Sequence, residues 1–158
     1  MIFVTLGTQA FPFDRLLRGL DGVAEELVVQ GGASTHRPAG AEWFDFLDLP
    51  QLLEHVRAAR VVVSHAGVGS VMTAVREGKR PVVVPRLERH GEAVDDHQLP
   101  FARRLHGIGL VRLVEDPAEL PAAIAETPEP PAALPAGESR LAADLRAYLE
   151  QLAREGRA

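Results

Sequence analysis

Short apolar, β-branched runs recur along the chain, and amphipathic or polar stretches separate them. Residues 2–6, 26–30, 41–47, 61–64, 80–84 and 108–114 read as strands. Runs such as Val61-Val62-Val63 and Val82-Val83-Val84 do not alternate with polar residues, which is the pattern of strands buried on both faces. Between them the apolar period is helical. Leu16, Leu17, Leu20, Val23, Ala24 and Leu27 share one face, with Asp14 as expected N-cap, although Gly19 and Gly22 interrupt the centre. Leu49, Leu52, Leu53, Val56 and Ala59 predict a second helix, capped by Asp48 with Pro50 in its first turn. A third helix runs to Gly78, and a fourth covers 97–105 with Pro100 in its first turn. A short fifth helix opens at Asp116-Pro117 and runs through Ile124.

Strands alternating with helices predict an α/β domain over residues 1–126: a Rossmann-like, doubly wound, mostly parallel sheet of about six strands. Residues 127–136 hold four prolines and read as a linker. Residues 137–158 predict a C-terminal amphipathic helix with Leu141, Leu145, Tyr148, Leu149 and Leu152 on one stripe.

Composition narrows the function classes. The 158 residues suit about one domain. No apolar run reaches membrane-spanning length, and the first residues lack the basic flank and cleavage site of a signal peptide. The absence of cysteine rules out a disulfide scaffold and fits a cytosolic chain. A formal charge of −5 without a basic tract argues against nucleic acid as the main partner. No residue cluster points to a metal.

The candidate chemistry sits where strand four ends. Val61-Val62-Val63-Ser64-His65-Ala66-Gly67-Val68-Gly69-Ser70 is strand, glycine turn, then helix start. Such a turn aims unpaired N–H groups and the positive end of a helix dipole at an anion, and glycines let a phosphate approach. The same short motif also occurs as a plain turn with no ligand. After strand five, residues 86–97 crowd Arg86, Glu88, Arg89, His90, Glu92, Asp95, Asp96 and His97 into one loop. Open α/β sheets bind ligands at these strand ends. A hydrolase reading of Ser64-His65 is disfavoured, because adjacent strand residues face opposite sides of the sheet.

Taken together, Phe46-Leu47-Asp48, Val61 to Gly67, Pro81-Val82-Val83-Val84-Pro85 and Asp95-Asp96-His97-Gln98 resemble family 28 glycosyltransferases over residues 1 to about 113. They are similar to the donor-binding, carboxyl-terminal half of the GT-B enzyme that adds N-acetylglucosamine to the peptidoglycan lipid intermediate. They are also similar to the half-length cytosolic subunit of a two-subunit UDP-N-acetylglucosamine transferase, whose bacterial counterparts act in exopolysaccharide and capsule assembly. The resemblance implies an inverting hexosyltransferase subunit that uses a UDP-sugar as donor substrate, with no separate cofactor. It implies a membrane-associated, acceptor-binding partner, a lipid-linked saccharide acceptor, and a cytoplasmic position at the inner face of the membrane through that partner.

The resemblance also implies residue roles. Phe46 and Leu47 match the turn whose backbone reads the uracil edge, though Phe46 equally suits core packing. Gly67, Gly69 and Ser70 match the diphosphate turn, with Ser70 able both to cap the helix and to donate to phosphate. Gly7, Thr8 and Gln9 match the other phosphate-facing loop. Asp96, His97 and Gln98 match the sugar-hydroxyl segment, whose plainer reading is a helix start capped by Asp96. His65 is the candidate catalytic side chain, as a donor toward the leaving diphosphate, while the general base is expected from the partner; a structural histidine fits the position as well. Where the family often has an acidic residue for the ribose hydroxyls, this chain has Thr73, a weaker partner that leaves a non-catalytic nucleotide-binding module as the rival reading. N-acetylglucosamine, glucose, galactose and glucuronate all fit these motifs.

Overall fold

The computed structural model describes residues 1–127 and, beyond them, Ala147. The expected linker and C-terminal helix therefore lie, but for Thr127 and Ala147, outside the described residues. Six parallel strands form one sheet: β1 (Ile2–Thr5), β2 (Leu27–Gln30), β3 (Glu42–Phe44), β4 (Val61–His65), β5 (Val82–Val84) and β6 (Arg112–Leu113), in the order β3-β2-β1-β4-β5-β6. The chain builds outward from β1 to one edge, then returns to β4 and builds to the other. Neighbouring strands β1 and β4 thus send their following loops in opposite directions, and a crevice opens at their carboxyl ends.

Helices cover both faces. α1 (Asp14–Arg18) and α5 (Leu120–Ala125) pack Leu16, Leu17, Leu120 and Ile124 on Ile2, Val4, Val29, Val61, Val63, Val82 and Val84. On the other face, α2 (Leu49–Ala58) and α3 (Val68–Arg76) bury Val56 and Ala74 against Phe3, Val28 and Val62. α3 and α4 (Gln98–Gly107) place Val71, Val75, Ala102 and Leu105 over Val83. Successive strand residues feed opposite faces, so each valine run must be apolar throughout.

Several expected boundaries move, each for a visible reason. α1 stops at Arg18 rather than reaching residue 27. Gly19 lies against Pro117, where a Cβ would sit 2.4 Å from a carbonyl oxygen, and Gly22 takes a positive φ of 83°. Asp14 is not the N-cap: Phe13 occupies that position, and the Asp14 carboxylate instead accepts from the N–H groups of Thr35 and His36. β3 pairs only with β2 and covers three residues, leaving Phe46 outside it and 67% exposed, which rules out core packing. β6 is reduced to two residues because Gly109, at φ 79°, keeps the chain turning after α4. Asp48 caps α2 as expected, and Gln51 completes a capping box.

Candidate functional site

The carboxyl ends of β1, β2 and β4 and the start of α3 enclose a cavity of about 400 Å³. Its polar end is lined by Thr5, Gly7, Thr8, Gln9, Gln30, His65, Gly69, Ser70 and Thr73. Leu47, Leu49, Leu52, Val56 and Val62 form the apolar end. Gly7, Thr8, Gln9, Leu47, His65, Gly69, Ser70 and Thr73, all expected from sequence, meet here. A second cavity of about 600 Å³ lies apart, lined by exposed Arg18, Arg89 and His90 and by residues 115–118. It holds none of the residues the sequence singles out for the nucleotide.

His65 is the centre of the polar end. It is only 6% exposed, and its ring lies between two backbones that lack a Cβ. A Cβ on Gly7, whose φ is 73°, would come within 2.7 Å of the His65 Nε2. One on Gly67 would come within 2.1 Å of Cε1. These two glycines therefore make room for the imidazole rather than for an anion. Gly69 differs: a Cβ there meets nothing within 4 Å, so its outer side is open to the cavity.

α3 begins at Gly67 with no side-chain cap. Ser70, expected as that cap, turns instead to His65, with Oγ 3.1 Å from Nε2. The first N–H groups of α3 are left without a capping acceptor at the cavity rim, where the helix dipole favours an anion. Thr73 donates its hydroxyl to the Gly69 carbonyl at 2.8 Å, which leaves its oxygen lone pairs as acceptors.

The Asp95–Gln98 segment divides. Asp95, Asp96 and His97 are exposed and serve their own loop: the Asp96 carboxylate accepts from the Glu88 N–H at 2.7 Å, and Asp95 pairs with the ring and backbone of His97. Asp96 does not cap α4, whose N-cap is His97 without a side-chain bond. None of the three lines the cavity. Gln98 points inward and is 1% exposed, with Oε1 accepting from the Arg86 N–H at 3.1 Å and Nε2 lying 3.4 Å from His65 Nδ1. Its amide backs the imidazole from behind and offers no surface to the cavity.

Gln30, which the sequence does not single out, and Arg86 and Glu92, which it places only in a crowded polar loop, support this floor. Gln30 ends β2, accepts from the Thr5 hydroxyl at 2.6 Å and donates to the Gly7 carbonyl at 3.0 Å, fixing the turn after β1. The visible signal was a lone amide closing the apolar run Leu27-Val28-Val29. Arg86 is 1% exposed and donates to the carbonyls of Leu6, Phe11 and Glu92, with its guanidinium 4.6 Å from the Phe13 ring centre. Its Nε has no hydrogen-bond partner. The buried Glu92 carboxylate forms a two-pronged pair with Arg15 and also accepts from the Leu87 N–H. Burial lowers the Arg86 pKa to about 10, with Glu92 opposing, so the side chain stays cationic at neutral pH. Burial first, and then the Arg86 charge, lower the His65 pKa to about 4. His65 is therefore a neutral imidazole near pH 7.

Residues 1–150 match the family model for the glycosyltransferase family 28 C-terminal domain. The chain belongs to glycosyltransferase family 28. It is 33% identical over 124 residues to the UDP-N-acetylglucosamine transferase subunit ALG13 of Homo sapiens, covering 68% of this chain and 10% of that protein. It is 40% identical over 62 residues to the subunit of the same name from Yarrowia lipolytica, covering 39% of this chain and 29% of that one. The chain thus spans less than a third of the curated relatives it matches. Among solved structures, the glycotransferase of kitacinnamycin superposes with a TM-score of 0.63 at 23% identity, over 93% of this chain and 39% of that one. That likeness concerns the fold, which is the Rossmann-like half of GT-B glycosyltransferases. Among the described residues no helix is long and apolar enough to cross a membrane.

Proposed function

We propose that this chain is the donor-binding subunit of an inverting glycosyltransferase, which takes a UDP-sugar and delivers the hexose to a lipid-linked saccharide acceptor. The observation that carries the reading is the cavity at the β1–β4 crevice, where Gly69 leaves open space beside the uncapped start of α3. In this reading the diphosphate lies against the first N–H groups of α3 and the Ser70 hydroxyl. Uridine lies toward Leu47, Leu49 and Leu52, and Thr73 accepts from a ribose hydroxyl. The acceptor hydroxyl attacks the anomeric carbon as the bond from that carbon to the diphosphate breaks. The charge that develops on the leaving UDP is met by donors already in place.

Among the described residues no carboxylate lines the cavity, and His65 has both ring nitrogens engaged, one toward Ser70 and one toward Gln98. The proton of the attacking hydroxyl therefore goes to a base on another polypeptide. In this reading that polypeptide is a membrane-associated, acceptor-binding partner, which also holds this chain at the cytoplasmic face of the membrane. The names of the two ALG13 relatives, each a transferase subunit, support a divided enzyme.

The same lack of a carboxylate favours a second reading, a nucleotide-binding module that recruits or regulates a partner without catalysis. Calorimetry with UDP and a panel of UDP-sugars tests the shared part: binding of UDP is expected, and its absence would overturn both readings. UDP-sugar turnover by the chain co-expressed with its partner selects the enzyme over the module.

A further inference from the structure

Among the described residues His65 is the one cavity-lining side chain whose ring proton could sit on either of two nitrogens, and the structure fixes which. A backbone N–H only donates, so the 3.1 Å bond from Arg86 N makes the facing atom of Gln98 its carbonyl oxygen. The other end of the amide, Nε2, is then turned to His65 Nδ1 at 3.4 Å, and an NH2 group also only donates. Nδ1 must therefore be the bare nitrogen. A neutral imidazole with a bare Nδ1 carries its proton on Nε2, which faces Ser70 Oγ at 3.1 Å. Ser70 receives that proton in a hydrogen bond, and its own hydroxyl proton is left free to point into the cavity.

We propose that Gln98 is a positioning residue that, held by the Arg86 N–H, locks His65 in the Nε2–H tautomer and so makes Ser70 a hydrogen-bond donor toward a phosphoryl oxygen. The opposite tautomer would reverse the chain. Nε2 would then accept the Ser70 proton, and the hydroxyl would present lone pairs to an anion. The role of Ser70 rests on the nucleotide reading of the cavity; the tautomer does not. The two can fail separately. The inference also changes what Gln98 does for a donor sugar: it acts on the diphosphate end, through two other residues.

The test uses the full 15N-labelled chain. The His65 ring signals, assigned by their loss in His65→Asn, are expected to show a protonated Nε2 and a bare Nδ1 in the free protein. Gln98→Glu keeps an oxygen for the Arg86 N–H but offers Nδ1 an acceptor, so it should place a proton on Nδ1. At about pH 9, where an imidazole beside one carboxylate is uncharged, this variant should bind UDP roughly tenfold more weakly, the scale of one hydrogen bond to a charged group. Ser70→Ala should lose a similar factor, and the double variant no more than either alone. A bare Nε2 in the unmodified chain, or losses that multiply in the double variant, would overturn the proposal. The expected tautomer without any UDP binding would leave the lock standing and overturn the nucleotide reading, and with it the role given to Ser70.

Discussion

At the residue scale the informative contrast is between glycines that look alike in sequence. Gly67 and Gly69 stand two apart in one motif, yet one is filled from within and the other opens outward. Gly67→Ala drives a methyl into the His65 ring and should cost roughly 1–3 kcal/mol, as overpacking does. Gly69→Ala should stay within about 0.5 kcal/mol of the parent. Urea unfolding of both variants checks the pair, and equal losses would mean that the His65 ring does not sit against Gly67. Gly69→Val should fold normally yet fail to bind UDP, since its side chain occupies the space given to phosphate. His65 itself carries a pH signature. Its folded pKa, about 4 through burial and the Arg86 charge, lies below the ordinary 6.5, so the unfolded chain binds more protons between those values. Stability therefore rises with pH across that window. The contribution is fully present above about 6.5, is lost progressively as pH falls toward 4, and amounts to about 3 kcal/mol. Comparing the stability of the parent and His65→Asn at pH 7 and near pH 4 isolates it from the carboxylates, and parallel slopes would show that the imidazole is not the source.

At the scale of elements, strands and helices were legible wherever the apolar period ran unbroken. The valine runs of β4 and β5, the cap of α2 and the glycine end of α3 could be read from residue order alone. What order could not show was how far a strand pairs. β3 and β6 lie at the sheet edges, where β3 stops opposite the end of β2 and β6 stops one residue short of the end of β5, and such limits depend on residues distant in sequence. α1 was overread for a similar reason: its apolar spacing continues, but Gly19 meets Pro117 across the fold. The site shows the same split. The turns after β1 and β4, which meet at the cavity, could be singled out because their glycines and polar residues are contiguous. Gln30 has no local signature, and Arg86 stands out only as one of a polar loop, because each acts through carbonyls on another element. Gln98 stands out in the sequence, but that its amide is buried behind the imidazole and outside the cavity lining is a tertiary property that residue order does not show. The capping box gives this scale its own test. Asp48→Ala removes a bond to the Gln51 N–H and should lower stability by about 1 kcal/mol without altering UDP affinity, because Asp48 is not among the residues that line the cavity. A change in affinity in that variant would tie the start of α2 to the ligand.

At the scale of the whole molecule, the cleft lies at an edge where apolar side chains remain in water. Phe11 follows β1, Phe46 and Leu49 follow β3, Val68 follows β4 and Val94 follows β5, and all are exposed. Leu49 lines the cavity and the others belong to segments that follow the carboxyl ends of strands; among the described residues the cavity lining holds donors but no carboxylate. In the proposed reading, a donor pocket without a base among the described residues, next to segments with exposed apolar groups, suits a second polypeptide closing over this edge and bringing the acceptor with it. Two outcomes follow from that division of labour. The purified chain should bind UDP yet transfer no sugar to a lipid-linked acceptor, whereas the chain co-expressed with its partner should. Val94→Asp, at a residue that is 72% exposed and outside the cavity lining, should leave UDP affinity and Tm within error while lowering partner-dependent transfer several-fold. The charge would have to be desolvated against an apolar face, a cost that appears only when the two chains meet. Transfer by the chain alone at high purity would show that the base lies within this polypeptide, and unchanged partner-dependent turnover in Val94→Asp would place the partner on another face of the fold.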